Sequence, residues 1–449
     1  MIEQVIDPGF VADRARQVND DARATDVPTI APPRVAQGRD RLRRRGNEPF
    51  IPRDPEQSRL QSALDEGLHT YREQDLEALP AVDPCGPTKP GDASDRAATE
   101  RLDGHFGPDD VGWLVTVLED IVTSDQAFPA KPPVDVALAA DARVLLVGDW
   151  ATGLSGAQRV GEQMRAKVDE ARAQGREVHV IHLGDVYYCG RPYEYVKRML
   201  AYWPVEDTDD EGAFSWNLNG NHDMYSGGRG YFALVGGALR WNQADVPRSR
   251  LFSRQGGCSY FRIANEHWQI LGLDTAYIDQ QLHPRELTWL QGALRSGQSA
   301  RTMLLSHHQL DSVYDRARVK GTLRRQLQRE LDEHRVDAWF WGHEHRCIRY
   351  REFAGVRYPR CLGHGGVPEV LEPTLGSVVK RIANWIGALF AHRRLSRPPR
   401  ILDEYKETWP ADGVHWRRHG FACLDLNGPT IDVRYIDQCG HQHARETLE

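Results

Sequence analysis

The sequence predicts an α/β domain with largely buried strands. After residue 141, short apolar runs alternate with amphipathic helical segments, and every run stops on a residue able to bind a metal or move a proton. The runs are RVLLVGD (143–149), VHVIHLGD (178–185), FSWNLNGNHD (214–223), HWQILGLDT (267–275), TMLLSHH (302–308) and AWFWGHEH (338–345). Unbroken apolar runs of this length suit strands covered on both faces. Between them the spacing predicts helices near 156–174, 191–203, 284–296 and 320–335. In the first, Val160, Met164, Val168 and Ala171 share one face. In open α/β sheets, ligand sites lie at the carboxyl ends of the strands, so these run-ending residues can converge although they are far apart in the chain.

The flanking segments read differently. Residues 1–57 are rich in Pro, Arg and Asp and hold the basic cluster RDRLRRRG (39–46), so a flexible arm is expected there. Leu60, Leu64, Leu68 and Tyr71 recur at helical spacing. A second apolar helix is expected through 109–122 after the Pro/Gly-rich break at 84–92, which makes 58–140 a helical extension and 141–449 the main domain. Within 370–415 a helical insertion is expected. SVVKRIANWIGALFAHRRL (377–395) gathers Val378, Ile382, Trp385, Ile386 and Leu389 on one face and ends in basic residues. Packing on its own domain is the plainest use of that face, with peripheral membrane contact or a partner as alternatives.

Composition narrows the class. The 449 residues carry a net charge of −7 with both signs interspersed, which argues against a protein built to coat nucleic acid and leaves only a local patch, such as the arm, for that purpose. Seven cysteines without CxxC spacing point to neither a disulfide framework nor a zinc knuckle. The first residues are acidic where a signal peptide needs a basic region, and no run of apolar residues is long enough to span a bilayer. A cytoplasmic setting is the expectation.

The candidate donors are Asp149, Asp185, Tyr188, Asn221, His307, His343 and His345, with His222 and His308 beside them. Carboxylate and carbonyl oxygens mixed with imidazoles suit Fe, Mn or Zn, whereas an all-oxygen set would suit Mg or Ca. A carboxylate such as that of Asp185 can bridge two ions about 3.5–4 Å apart, and hydroxide held between them is a strong nucleophile at neutral pH. Any one of these motifs alone is weak. Their common order, each directly after a strand-like run, is what carries weight.

In GD (148–149), GDVYY (184–188), GNHD (220–223), LLSHH (304–308) and GHEH (342–345) the chain resembles the calcineurin-like metallophosphoesterases over roughly residues 141–370, and GFACLDLNGPTIDVRYID (420–437) looks like that fold's closing strands. The resemblance implies a four-layer αββα sandwich with two metals at the strand ends. It implies that Asp185 bridges both ions, that Asn221, His307 and His343 complete the second site, and that His345 joins Asp149 at the first. It also implies that His222 contacts the phosphate or protonates the leaving oxygen, with Asp223 tuning it and His308 facing the substrate.

Most of the superfamily has a histidine two residues after the first aspartate, where this chain has Ala151. The purple acid phosphatases lack it too and use a tyrosine in a GDxxY block, which maps to Tyr188. A phenolate adds negative charge and a hard oxygen, favouring Fe(III) at that site, with Fe(II), Zn or Mn at the second. Tyr225 and Arg229, in the Gly-rich stretch after GNHD, and His364 in GHGG are candidate substrate contacts, although simple turns would also explain those glycines.

The expected activity is hydrolysis of phosphate mono- or diesters by attack of a metal-bound hydroxide. Two alternatives are a nuclease guided by the arginine-rich arm and a non-catalytic, metal-stabilised interaction module.

Overall fold

The computed structural model describes residues 123–209, 212–296, 300–312, 321–371, 399–403 and 415–449. The arm, most of the helical extension and the amphipathic segment 377–395 lie outside the described residues.

Each apolar run becomes a strand, and the alternation of side chains along it builds separate layers. In Arg143–Val147, Val144 and Leu146 enter one core while Leu145 and Val147 enter another. The first core lies between two sheets, where these residues and Ile181 and Trp216 meet Phe261, Ile263, Ile270, Met303, Leu305 and Phe340. The second is closed by the helix Ser155–Ala173, whose Val160, Met164, Val168 and Ala171 are buried as their spacing predicted. A third core, with Leu290, Leu294, Leu323, Leu331, Trp339 and Trp341, packs the helices Pro284–Ser296, Thr322–Gln326 and Gln328–Asp332 on the far face of the other sheet. The result is helix, sheet, sheet, helix.

The six-stranded sheet runs in the order Gln442–Leu448, Thr430–Asp437, Gly420–Asn427, Arg143–Val147, Val178–His182, Ala213–Asn217. Its last three strands are parallel, and the C-terminal three are antiparallel. In the eight-stranded sheet Trp268–Gly272, Arg301–Ser306, Ala338–Trp341 and Tyr358–Leu362 are parallel neighbours. The parallel strands of both sheets therefore deliver their carboxyl ends to the same edge of the sandwich.

A buried ionic tie joins the sheets. Glu446 in one accepts from Arg360 at 2.6 Å and Arg349 at 2.8 Å in the other, and from Tyr435 Oη at 2.7 Å in its own.

Asp135–Ala137 pairs in parallel with Phe261–Ala264, so the sheet begins before residue 141, because this short apolar stretch covers an open strand edge. The segment 191–203 is helical as expected but irregular, α-helical at Pro192–Glu194, π-helical at Tyr195–Met199 and 3-10 at Leu200–Tyr202, and Glu194 in its first turn accepts the N–H groups of Tyr188, Cys189 and Arg191 from the loop before it. The helical insertion expected within 370–415 lies outside the described residues, and the described residues of that region are short strands. Val370–Leu371 pairs with His415–Trp416, and Arg400–Ile401 returns to the sheet beside Cys347–Arg349. Cys439 is disulfide-bonded, with its partner outside the described residues, although the cysteine spacing suggested no disulfide. Among the described residues no helix is long and apolar enough to cross a membrane.

Candidate metal centre

Five loops meet at the carboxyl edge. Ligand atoms of Asp149, Asp185 and His307 lie within 4.8 Å of one another, as do those of His307, His308 and His343. His345 Nε2 is 3.5 Å from Asp149 Oδ1, and Asn221 Oδ1 is 3.1 Å from His307 Nε2. Asp149, Asp185, His343 and His345 all have positive φ, between 46° and 72°. Non-glycine residues in that region cost on the order of 1–3 kcal/mol each, and such strain concentrates at functional sites.

The motif glycines are explained by close approach. A Cβ on Gly220 would collide with Asp185 Oδ1, and one on Gly342 would stand 2.5 Å from Asp149 Oδ2. The backbone grips the carboxylates from the same side: His222 N–H donates to Asp185 at 2.9 Å and His343 N–H to Asp149 at 2.8 Å.

Tyr187, not Tyr188, brings its hydroxyl to the centre. Its Oη is 3.2 Å from Asp149 Oδ1, 3.2 Å from Asp185 Oδ2 and 3.0 Å from His345 Nε2. Val186 bridges to Ala151 and the Tyr187 N–H donates to the Ala151 carbonyl, which anchors Tyr187 beside the loop that carries Asp149. Tyr188 turns away, with the Arg198 guanidinium 5.2 Å over its ring.

The histidines are held in defined tautomers by their second nitrogens. His307 Nδ1–H donates to the Leu183 carbonyl at 3.0 Å and presents Nε2 to Asp185 Oδ2 at 3.3 Å. His222 Nδ1–H donates to the Tyr188 carbonyl at 2.7 Å, which leaves Nε2 of the neutral ring as a proton acceptor. The Thr275 hydroxyl accepts the His308 N–H at 3.0 Å and sits 3.1 Å from Nδ1. It is placed to donate there and leave the hydrogen on Nε2.

Electrostatics follow from burial and the two carboxylates. Burial opposes charge on His307, yet Asp185 beside it raises the ring to about 9. Asp185 itself is held well below the usual carboxylate range; burial works against this, but His307 and His222 prevail. Burial pushes Asp149 up, against the pull of His307 and His345. Burial lowers His222, and burial with the charge of His307 lowers His308 to about 3. Burial and the charges of Asp149 and Asp185 drive the Tyr187 phenol well above 10.

Three candidates prove to have other contacts. Asp223 does not touch the His222 ring. It accepts the N–H groups of Asp185 at 2.9 Å and Gly220 at 2.7 Å and the Tyr195 hydroxyl, so it staples two loops together. His364 lines a cavity with Asp403, Arg418, His419 and Asp437. Arg229 is exposed at the start of the helix Arg229–Val235, and no described contact joins it to the donors.

Two neighbours went unnoticed in the sequence. Glu369 Oε1 lies 3.6 Å from His345 Nδ1, and Thr275 holds His308. The LDT ending of its run marked Thr275, whereas nothing local marked Glu369. A further group, Asp437, Cys439 and His441, has no thiolate to offer because Cys439 is disulfide-bonded.

The fold and site define an α/β sandwich with a carboxylate–imidazole cluster of the kind that holds metal ions. Residues 142–347, a little under half of the chain, match the family model of the calcineurin-like phosphoesterases. Among solved structures, the chain is similar to GAP50, the anchor in the inner membrane complex of Plasmodium, at 12% identity over 69% of this chain and 89% of that one, with a TM-score of 0.45. It is also similar to a cold-active protein-tyrosine phosphatase of a psychrophilic Shewanella species (13% identity, 71% and 83% covered, TM-score 0.29) and to Vps29 of Chaetomium thermophilum (10%, 69% and 97%, 0.26). No curated protein matches.

Proposed function

We propose that the protein is a dinuclear-metal-dependent phosphoesterase acting on phosphate mono- or diesters. The observation that carries this reading is the convergence of Asp149, Asp185 and His307, with His343, His345, Asn221 and the Tyr187 phenol around them. Asp149, His345 and Tyr187 would hold one ion, Asn221, His307 and His343 the other, and Asp185 both. A phenol on the first site favours Fe(III) there, and the nitrogen-rich second suits Fe(II), Zn or Mn.

When bound, the ions supply Lewis-acid activation of water and neutralise the charge that develops on the phosphoryl oxygens. The protein's own groups divide the proton work. His308, neutral with its hydrogen on Nε2, donates to a phosphoryl oxygen. His222 Nε2 would take a proton from solvent once the negatively charged ester is bound beside it and deliver it to the leaving oxygen, returning to the neutral ring, while the Tyr188 carbonyl keeps the ring aimed.

The cytoplasmic setting is a further proposal, and the Cys439 disulfide weighs against it, since such bonds persist mainly in oxidising compartments. The test is metal analysis of the purified protein with hydrolysis of p-nitrophenyl phosphate and bis-p-nitrophenyl phosphate. Asp185→Asn should lower turnover by at least about a hundredfold, since even outer-shell changes at metal sites cost 10–100-fold. Protein that carries two ions and hydrolyses neither ester would leave the interaction-module alternative standing.

A further inference from the structure

Asn221 offers one amide to two neighbours. Its Oδ1 faces His307 Nε2 at 3.1 Å, and its Nδ2–H donates to the Tyr225 hydroxyl at 2.9 Å. An amide has an acceptor end and a donor end, and only the oxygen can bind a cation. The two residues stand four apart on the short helix Asn221–Tyr225, the spacing that stacks side chains one turn above another. Tyr225 also sets its ring edge against His222, with centroids 4.9 Å apart, while the Tyr187 ring packs against the same imidazole at 4.5 Å.

We infer that Tyr225 is a positioning residue. Its hydroxyl fixes the amide of Asn221 with the oxygen toward the second metal position, and its ring helps hold His222 beside it. This rests on the dinuclear reading above and assigns Tyr225 a role other than substrate contact. Without the hydroxyl the amide can flip, and half of its orientations offer hydrogens to a cation.

Tyr225→Phe keeps the ring and removes only that anchor. The second ion, titrated by calorimetry into metal-stripped protein, should bind roughly 10–100-fold more weakly, as for other outer-shell partners. The thermal midpoint of the metal-free variant should stay within a few degrees. Orientation makes a sharper demand. In an Asn221→Asp background both carboxylate oxygens are equivalent, so adding Tyr225→Phe should cost no further affinity.

Equal losses in the two backgrounds would show that the hydroxyl acts otherwise and would overturn the assignment. So would unchanged affinity in Tyr225→Phe alone. Wild-type protein that takes up fewer than two ions would instead remove the dinuclear reading, and this inference with it.

Discussion

In the proposed dinuclear site, Tyr187 would set the charge that the first metal position presents. In the metal-free protein its phenol is buried between two carboxylates and is driven well above 10, so at neutral pH it keeps its proton. A bound cation reverses that balance, because a nearby positive charge stabilises the phenolate that the carboxylates oppose, and a trivalent ion does so most strongly. Iron-loaded wild-type protein should therefore show a visible phenolate-to-iron absorption band, present in Tyr188→Phe and lost in Tyr187→Phe. The reverse pattern in the two spectra would return the ligand to Tyr188. At this scale the sequence pointed to most of the residues proposed as donors, because their motifs stand at the ends of strand-like runs. It left open which of two adjacent tyrosines faces inward, because that depends on the register of Val186 against Ala151. Asp223 and His364 were misread for a related reason: a polar residue inside a motif looks the same in sequence whether it faces the substrate or the loop behind it.

Between elements, the Glu446 tie is a polar join that links the two sheets across a largely apolar interface. Burial alone would raise its carboxyl, but Arg360, Tyr435 and Arg349 outweigh that and hold it below the ordinary glutamate value. A depressed folded value contributes stability that is fully present above the unfolded value of about 4.3 and is lost as pH falls through the lower folded one. Wild-type protein should therefore lose stability steeply below about pH 4. Glu446→Gln should flatten that acid limb in denaturant titrations run across the range. Glu446→Ala, which leaves two guanidinium groups facing an apolar gap, should cost about 3–5 kcal/mol at pH 7. An acid limb unchanged in the glutamine variant would mean that other carboxylates dominate it. The strands and the helices Ser155–Ala173 and Pro284–Ser296 were legible because apolar period and burial agree in them. The irregular winding of the helical stretch 192–202 was not, because apolar spacing marks a helix without fixing its hydrogen-bond pattern.

For the whole molecule, charge is distributed unevenly. The chain carries −7 overall, yet Arg39, Arg41, Arg43, Arg44 and Arg45 fall within eight residues of the arm. A metal centre that cleaves phosphate esters is indifferent to whether the ester is small or part of a polymer, so the arm is what would separate a nuclease from a small-molecule phosphatase. If those arginines engage DNA phosphates, binding must release counterions. The logarithm of the binding constant should then fall against the logarithm of salt with a slope of about −4 to −5, close to −0.9 for each of five contacts. Deleting residues 1–57 should abolish that binding while leaving hydrolysis of p-nitrophenyl phosphate unchanged, because every proposed ligand lies beyond residue 148. Fluorescence anisotropy on a labelled duplex from low to physiological salt measures the slope directly. A full-length protein that binds no DNA at low salt, or one whose binding survives the deletion, would exclude an arm-guided nuclease and leave small phosphate esters as the substrate class.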